Sequence, residues 1–379
     1  MSVVIVDPIF RASRLYITML IANSFPNEKI KIITRKDYSS SLFEESYHLA
    51  DVEIHPVVSL NEEDWFISLN YKQVNEVVLA LRKIIAKGDL VFFTGLNEFF
   101  PKLLVSTFFF TCVSRKARFF LLDYDASFLL NLKGLAPKKK IKGLVKLFLL
   151  AMFSHFGRTR LIVFDERVEV SSNLKGPACL LIRRIHLVCD PFPGVQHDDH
   201  VEPFDYEKVN VLAVGLQSKR KGFDQIQKVL TKSDLGDVAI YLRGRFETRE
   251  SLDIPEGLDV MVGFFSESDI QKYYKAADYI IIPYDKSFYA SSGVLAYAVS
   301  MGKPIVATSH GLIGARVADN FLGFVYEHND IEGLANLLRE LPSRETAEYK
   351  ELQSNCLSFA EGITETTFRK RIREIGEVR

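Results

Sequence analysis

The chain has 379 residues, and 48 Lys and Arg residues balance 48 Asp and Glu residues, so the formal net charge is zero. This length accommodates two ordinary domains, and 47% hydrophobic with 25% charged residues is typical of a packed globular protein rather than a disordered one. The balanced charge argues against a nucleic-acid partner. The 4 cysteines lack CxxC spacing, which argues against a zinc cluster or a disulfide framework.

The start of the chain and its most apolar stretches bear on location. Met1 and Ser2 lead directly into a strand-like run without the pattern of a signal peptide. The stretches 103–113 and 147–156 are too short to cross a bilayer. We therefore expect a cytoplasmic protein that can contact the inner membrane face peripherally without crossing it.

Short apolar runs alternate with helix-length segments along the first half. Runs rich in β-branched and aromatic residues at this spacing predict a parallel sheet that is covered on both faces. The predicted strands are residues 3–6, 30–34, 52–55, 90–94, 119–122, 161–164 and 180–188.

A segment rich in proline and polar residues separates this half from a second one with the same alternation. Predicted strands follow at 209–214, 238–242, 258–262, 279–283, 305–308 and 323–326, and two helical patterns follow at 330–341 and 346–375. We predict an N-terminal domain at 1–190, a linker at 191–207 and a C-terminal domain at 208–379, whose last helix can cross back to the first domain. Two such domains form a cleft, which is a common location for a ligand.

Residues 287–311 carry the clearest local indication of a ligand site. Ser291, Ser292 and Gly293 open a short helix, and free backbone N–H groups at a helix N-terminus favour a phosphate or diphosphate. The next predicted strand places another loop beside it, at the carboxyl edge of a parallel sheet. This pattern predicts a nucleotide or nucleotide-sugar site.

The landmarks of the second half occur in a recognisable order. A strand ends at Gly215 before a Lys-Arg-Lys-Gly turn, a second strand ends near Gly244, and Val262-Gly263-Phe264 follows. The segments 277–283, 302–311 and 323–326 complete the series as a buried strand ending in proline, a Gly-x-Pro-Val-Val-Ala-Thr-like block and a closing strand. In this order the C-terminal half resembles the donor-binding domain of the GT-B glycosyltransferases, especially glycosyltransferase family 4 (group 1).

The resemblance implies an α/β protein of GT-B architecture, with two Rossmann-like domains facing each other across a cleft. It implies a hexosyltransferase-type enzyme that moves a sugar from a nucleotide-diphosphate donor to a glycan or lipid-linked acceptor in cell-surface polysaccharide biosynthesis. It also implies retention of anomeric configuration, with no cofactor and no essential metal. The donor-binding residues would be Gly215, Lys219, Arg220, Lys221, Gly263, Phe264, Tyr289, Ser291, Ser292, Gly293, Val294 and Tyr297.

Chemistry gives several of these residues a role. Lys221, assisted by Lys219 and Arg220, can neutralise the diphosphate leaving group, which makes it a catalytic candidate. Backbone groups at Gly263 and Phe264 can hold a nucleobase edge.

The family's Glu-x7-Glu pair is replaced here by Tyr289 and Tyr297. A tyrosine hydroxyl can hydrogen-bond a ribose but carries no carboxylate charge. Two alternatives therefore stay open beside the transferase: a non-catalytic subunit that binds a sugar nucleotide or a partner, and a sugar-nucleotide epimerase.

The first half would bind the acceptor, and a general base there needs a carboxylate or a histidine near a strand end. Asp7, Glu98, Asp123 and Asp125 meet that condition, and Asp123 and Asp125 are the catalytic candidates.

A basic and apolar segment also lies in this half, since residues 126–164 contain no Asp or Glu. Lysines and arginines between 133 and 160 alternate with bulky apolar residues at near-helical spacing, which favours contact with an anionic membrane surface.

Overall fold

The computed structural model describes residues 1–8, 13–36, 52–59, 69–95, 117–130, 141, 143–148, 150, 159–170, 185–192, 201, 204–246, 255, 257–263 and 265–377. The chain divides into two compact units. The first comprises Met1–Val188 together with Thr366–Arg379, and the second comprises Cys189–Glu365.

The described part of the first unit contains a 7-stranded, fully parallel sheet with the order β3-β2-β1-β4-β5-β6-β7. Its strands are β1 (Ser2–Val6), β2 (Lys29–Arg35), β3 (Val52–Val58), β4 (Leu90–Phe93), β5 (Arg118–Asp123), β6 (Thr159–Val163) and β7 (Ile185–Leu187). Its helices are α1 (Ser13–Asn23), α2 (Tyr71–Ile84), α3 (Ser127–Leu130) and α4 (Arg167–Val170). Residues 141, 143–148 and 150 form a further helical segment, the basic helix.

The basic helix packs on the sheet by one side only. Leu147 and Leu150 belong to the buried core that includes strands β4, β5 and β6. Lys146 is also buried, and its ammonium group forms an ion pair with the carboxylate of Asp123. Because both charges are removed from water, this pair fixes the helix against the end of β5.

The second unit contains a 6-stranded parallel sheet within its described residues, in the order β10-β9-β8-β11-β12-β13. The strands are β8 (Val209–Gln217), β9 (Val238–Phe246), β10 (Leu258–Val262), β11 (Tyr279–Ile282), β12 (Ile305–Thr308) and β13 (Gly323–Tyr326). The helices are α5 (Phe223–Lys232), α6 (Glu267–Ala276), α7 (Gly293–Ser300), α8 (Gly311–Asp319), α9 (Ile331–Arg339) and α10 (Ala347–Gly362), and a 3-10 turn spans Lys219–Lys221.

Alternate residues of these strands point to opposite faces of the sheet. Ile280 and Ile282 join a core with α7 and α8, whereas Tyr279 and Ile281 join a second core with α5 and α9. Both faces are therefore buried, which explains why the strands appear in the sequence as continuous apolar runs.

The end of the chain differs from its sequence prediction. The pattern at 346–375 predicts one helix, but α10 ends at Gly362 and α11 (Glu365–Glu377) begins three residues later. Thr364 forms an isolated parallel bridge with Phe192, and a helical backbone at that position could not form it. The break lets α10 belong to the second unit while α11 belongs mainly to the first.

The predicted strands and the α/β class are confirmed. Each of the predicted strands is present, and the class is α/β with two parallel sheets. Of the predicted strand 180–188 the structure describes residues 185–188, and β7 covers Ile185–Leu187. Within the ranges that the structure describes, no helix is long and apolar enough to span a membrane.

Candidate functional site

The loops after β8, β11 and β12 lie next to one another, because these strands are neighbours in a parallel sheet. The carboxyl ends of parallel strands are where α/β proteins usually bind ligands. The segments concerned are the turn at 218–222, the loop at 283–292 and the residues that open α8.

The basic turn after β8 is held tightly against the loop after β11. Ser218 caps the turn by accepting a hydrogen bond from the Lys221 backbone N–H at 3.3 Å. Gly222 follows with φ +77°, and a Cβ at that position would lie 1.7 Å from the Pro283 carbonyl oxygen. Only glycine satisfies both the left-handed backbone and this close approach.

The Lys221 side chain lies over aromatic rings rather than beside a carboxylate. Its Nζ atom is 3.8 Å from the ring centroid of Tyr284 and 4.3 Å from that of Phe288. The guanidinium group of Arg220 is 5.0 Å from the Phe288 centroid. In the described part of the chain, Lys219, Arg220 and Lys221 form no ion pair. Three consecutive cations without counter-charges favour an anionic ligand.

Helix α7 begins beside this lysine, as the sequence predicts. Ser292 occupies the N-cap position and Gly293 is the first helical residue. The Ser292 hydroxyl is not used for capping; it lies 3.2 Å from the Tyr284 hydroxyl. The N-terminal N–H groups of α7 therefore lack a side-chain cap and can serve an anion.

A small pocket lies between the ends of β8 and β11. Gln217, Lys221, Tyr284 and Val294 are among the residues that line it. The proposed donor residues Lys221 and Val294 thus face a common space within the second unit.

The sequence did not single out Gln225 of α5, which connects the loop after β11 with the end of β13 and the turn that follows it. Its amide donates a hydrogen bond to the Pro283 carbonyl at 2.5 Å, and its oxygen accepts from the Asn329 backbone N–H at 3.1 Å and the Tyr326 hydroxyl at 3.3 Å. Gln225 is fully buried, so it positions the loops and does not contact ligand.

Gly215 lies at a close approach between two strands. It has φ +96° and pairs with Gly244, where a Cβ would lie 1.8 Å from the Gly215 carbonyl oxygen. Gly263 donates its N–H to the Gly244 carbonyl at 2.8 Å. Phe264, the other predicted nucleobase contact, lies outside the described residues.

The two tyrosines at the glutamate positions have different surroundings. The Tyr297 ring packs against Tyr274 at a centroid distance of 4.9 Å, on the side of α7 that faces α6. Tyr289 lies by the start of α8, with its ring centroid 6.4 Å from that of His310. Ser291, which lies between the two tyrosines along the chain, is half-buried.

A histidine–aspartate cluster beside Tyr289 is a second feature that the sequence did not reveal. His310 Nε2 lies 2.8 Å from the Asp285 carbonyl oxygen, and His328 Nε2 lies 3.2 Å from the Asp285 carboxylate. Because a carbonyl only accepts, Nε2 of His310 carries the proton. Burial lowers the pKa of His310 below its ordinary value, so the ring is neutral at physiological pH.

The candidate bases of the first unit are mostly engaged in the fold. Asp123 is fully buried against Lys146; burial raises its pKa, and the lysine opposes that shift. Asp7 accepts a hydrogen bond from the Thr18 hydroxyl at 2.7 Å and is also fully buried. Asp125 is half-buried, and its N–H contacts the Asp123 carboxylate at 3.2 Å. Glu98 lies outside the described residues. Asp123 thus has a structural position, without the exposure that a base requires.

Comparison with known proteins shows what the second unit is similar to. Residues 208–343 match the family model described as "Glycosyl transferases group 1". An uncharacterized 41.2 kDa protein in the cps region of Klebsiella pneumoniae is 24% identical over 161 residues, which cover 41% of this chain and 42% of that protein. The chain thus matches less than half the length of this curated relative.

Solved structures are similar over nearly the whole chain. HepE of Anabaena in complex with UDP has a TM-score of 0.66 at 14% identity, covering 99% of both chains. WaaG, a glycosyltransferase involved in lipopolysaccharide biosynthesis, has a TM-score of 0.64 at 15% identity and covers 100% of both. Sucrose-phosphate synthase of Thermosynechococcus elongatus has 0.67 at 13%, covering 100% of this chain and 98% of that one.

These comparisons confirm the GT-B fold and the predicted resemblance of the C-terminal half to group 1 glycosyltransferases. The segment 208–343 of the second unit is thus similar to the group 1 glycosyltransferases.

Proposed function

We propose that this protein transfers a hexose from a uridine-diphosphate sugar to a glycan or lipid-linked acceptor in cell-surface polysaccharide biosynthesis, with retention of configuration and without a metal. HepE is a structural neighbour solved with UDP, WaaG is involved in lipopolysaccharide biosynthesis, and the curated relative lies in a cps region. These neighbours support the choice of donor and pathway.

The observation that carries the proposal is the meeting of Lys221 and the uncapped start of α7 at one sheet edge. Tyr284 contacts both, through its ring and its hydroxyl. In the reaction, the bond between the sugar C1 and the diphosphate oxygen breaks, and C1 bonds to the acceptor oxygen on the same face of the sugar, so that the configuration is retained. The negative charge left on the diphosphate is stabilised by Lys221, assisted by Lys219 and Arg220, and by the α7 N–H groups.

The acceptor hydroxyl must lose a proton, and we assign its removal to Asp125. Asp125 is half-buried at the end of β5, whereas Asp123 beside it is fully buried and paired with Lys146. An Asp125→Asn variant that transfers sugar at the wild-type rate would contradict this assignment.

The central test is a panel of sugar nucleotides that share sugars but differ in base. We expect UDP-sugars to raise the melting temperature more than GDP-, ADP- or dTDP-sugars, and UDP to be released when an acceptor is supplied. NMR of the product's anomeric proton checks retention, and activity in EDTA checks metal independence. Absence of any binding would contradict the donor site, and metal-dependent transfer would contradict the mechanism.

A non-catalytic sugar-nucleotide-binding subunit is the second candidate, because Tyr289 and Tyr297 stand at the glutamate positions and Tyr297 packs against Tyr274. It predicts UDP-sugar binding with neither transfer nor hydrolysis in the same assay. An altered sugar on the recovered donor would instead indicate an epimerase.

We further propose that the basic helix lies on an anionic lipid surface. Its outward side chains Ile141, Leu144, Val145 and Phe148 are 64%, 49%, 45% and 62% exposed. They recur at i, i+3, i+4 and i+7 and so form one apolar stripe. The absence of Asp and Glu from 126–164, with lysines at 133, 138, 139, 140 and 142, supplies the matching charge.

Vesicle flotation tests this surface. We expect the protein to float with vesicles containing phosphatidylglycerol and not with pure phosphatidylcholine. Phe148→Glu should abolish flotation, whereas Phe321→Glu in the second unit, at a phenylalanine that is 70% exposed against 62% for Phe148, should leave it intact. Equal loss in both variants, or flotation with neutral vesicles alone, would contradict the proposed surface.

A further inference from the structure

We propose that Tyr284 and Phe288 are positioning residues, which hold the Lys221 ammonium group and the start of α7 in a fixed arrangement for the donor diphosphate. This inference rests on the proposed donor site and concerns residues of the loop after β11. Neither aromatic residue would contact the reacting atoms; both act through Lys221 or Ser292.

The two rings form a preorganised cation–π site for the Lys221 ammonium group. Their centroids are 4.5 Å apart with an interplanar angle of 61°, and the side chains are only 6% and 8% exposed. Lys221 Nζ lies within 4.3 Å of both centroids. Buried rings cannot easily reorient, so the ammonium position is defined by the loop and not by the flexible lysine stem.

The loop that bears the rings is itself fixed from several sides. The Tyr284 carbonyl accepts a hydrogen bond from the Thr308 hydroxyl at 2.9 Å, and Pro283 contacts Gln225 and Gly222. The Asp285 N–H donates to the Arg220 carbonyl at 3.1 Å. The rings therefore hold a defined place between the basic turn and the end of β12.

The Tyr284 hydroxyl extends this arrangement to the helix. It lies 3.2 Å from the Ser292 hydroxyl at the N-cap of α7. One side chain thus contacts both groups that we assign to the diphosphate, and a displacement of Tyr284 would disturb both together.

Aromatic rings suit this task better than a carboxylate would. A ring face attracts an ammonium group through its quadrupole and leaves the positive charge in place. A carboxylate at the same position would neutralise that charge and compete with the diphosphate. The Lys221 N–H groups that do not face the rings remain available to phosphate oxygens.

A double-mutant cycle with UDP as the probe tests the inference by calorimetric titration. Phe288→Leu keeps apolar volume and removes the ring. We expect roughly tenfold weaker UDP binding when Lys221 is present and about a twofold change in a Lys221→Met background, where the ring acts only through the more distant Arg220 guanidinium at 5.0 Å. Phe288→Tyr should restore wild-type affinity. Phe324→Leu is the matched control, at a ring elsewhere in the second unit whose centroid lies 6.5 Å from that of Tyr279, and it should bind UDP normally.

The second arm addresses the hydroxyl contact. Tyr284→Phe and Ser292→Ala should each weaken UDP binding about threefold, and the double variant should be no worse than either alone.

The outcomes separate the two proposals. If the wild-type protein binds neither UDP nor UDP-sugars, the donor site fails. If it binds UDP but Phe288→Leu has the same effect with and without Lys221, the rings only pack the loop and the positioning role is wrong. Tighter UDP binding by Phe288→Leu would also overturn it, because the rings would then withhold the lysine.

Discussion

The carboxyl edges of the two sheets carry charged side chains of opposite sign, and they differ in how those charges are matched. In the first unit, Asp123 pairs with Lys146 and Asp165 with Arg167, the latter by contacts of 2.7 and 2.8 Å. In the second unit, Arg220 and Lys221 of the basic turn face aromatic rings and, among the residues that the structure describes, form no ion pair with a carboxylate. A charge at a strand end therefore indicates a ligand site only where the fold leaves it without a counter-charge.

The largest effect is expected when one partner of a buried ion pair in the first unit is removed. Lys146→Met leaves the buried Asp123 carboxylate without its partner and should lower the free energy of unfolding by about 3–5 kcal/mol. Urea denaturation measures the loss, and UDP affinity at temperatures where the variant is folded should be unchanged. Lys228→Met removes an exposed pair with Asp224 and should cost less than about 1 kcal/mol. Similar losses in the two variants would show that the buried pair has no special role.

Gly222 tests whether the basic turn must lie against the loop after β11. Gly222→Ala combines an unfavourable left-handed backbone with a Cβ 1.7 Å from the Pro283 carbonyl, so we expect about 3 kcal/mol of destabilisation and weaker UDP binding. Gly236→Ala is matched in backbone, with φ +58° and no atom within 4 Å, and should cost about 1 kcal/mol without affecting UDP. Denaturation and UDP titration of both variants separate the steric clash with Pro283 from the cost of the left-handed backbone. Equal losses of stability in the two variants would show that the close approach to Pro283 has no effect.

Lys221 tests the unmatched charge in the second unit directly. Lys221→Ala should reduce turnover about a hundredfold, because it removes a cation that stabilises charge developing on the leaving group. The melting temperature should change little, since none of the carboxylates that the structure describes loses an ion-pair partner in the substitution. Steady-state kinetics and thermal denaturation check both expectations. Unaltered turnover would refute the role of Lys221.

His186 offers the smallest effect, and one that depends on pH. Burial, with further contributions from Arg160 and Arg371, lowers the pKa of His186 to about 4. The unfolded chain takes up this proton near pH 6.5 and the folded chain only near pH 4, so stability falls as the pH decreases through this window. After allowance for partial exposure, we expect a loss of about 1–2 kcal/mol. In urea denaturation between pH 7 and 4, His186→Gln should lose less stability than the wild-type protein as the pH falls. Identical pH profiles of stability for the two proteins would rule out a contribution from His186.

The sequence contained most of the fold because buried parallel strands are continuous apolar runs, and those runs are visible without any tertiary information. It also placed the basic turn and the start of α7, since Gly222 and Ser292-Gly293 are local features of turns and helix ends. The break between α10 and α11 was less visible. Gly362 was the available indication, and the pairing of Thr364 with Phe192 depends on residues far apart in the chain.

The contacts that build the site could not be predicted for the same reason. Gln225 and Pro283 are 58 residues apart, and His310 and Asp285 are 25 apart. No periodicity connects such positions; they meet only because β8, β11 and β12 are neighbours in the sheet. The ring pair beneath Lys221 was equally invisible, since Tyr284 and Phe288 resemble ordinary core residues in the sequence.

Helix α11 has a consequence for how the molecule is made. Its Arg373 donates a hydrogen bond to the Ser24 carbonyl at 3.0 Å, and its Ile375 carbonyl accepts one from Arg160 at 3.0 Å. The Phe368 ring stacks on Phe164. During synthesis, the first unit therefore begins to form early but lacks part of its core until residues 366–377 leave the ribosome. The second unit has its whole sequence available before then, so the unit that is translated first is completed last.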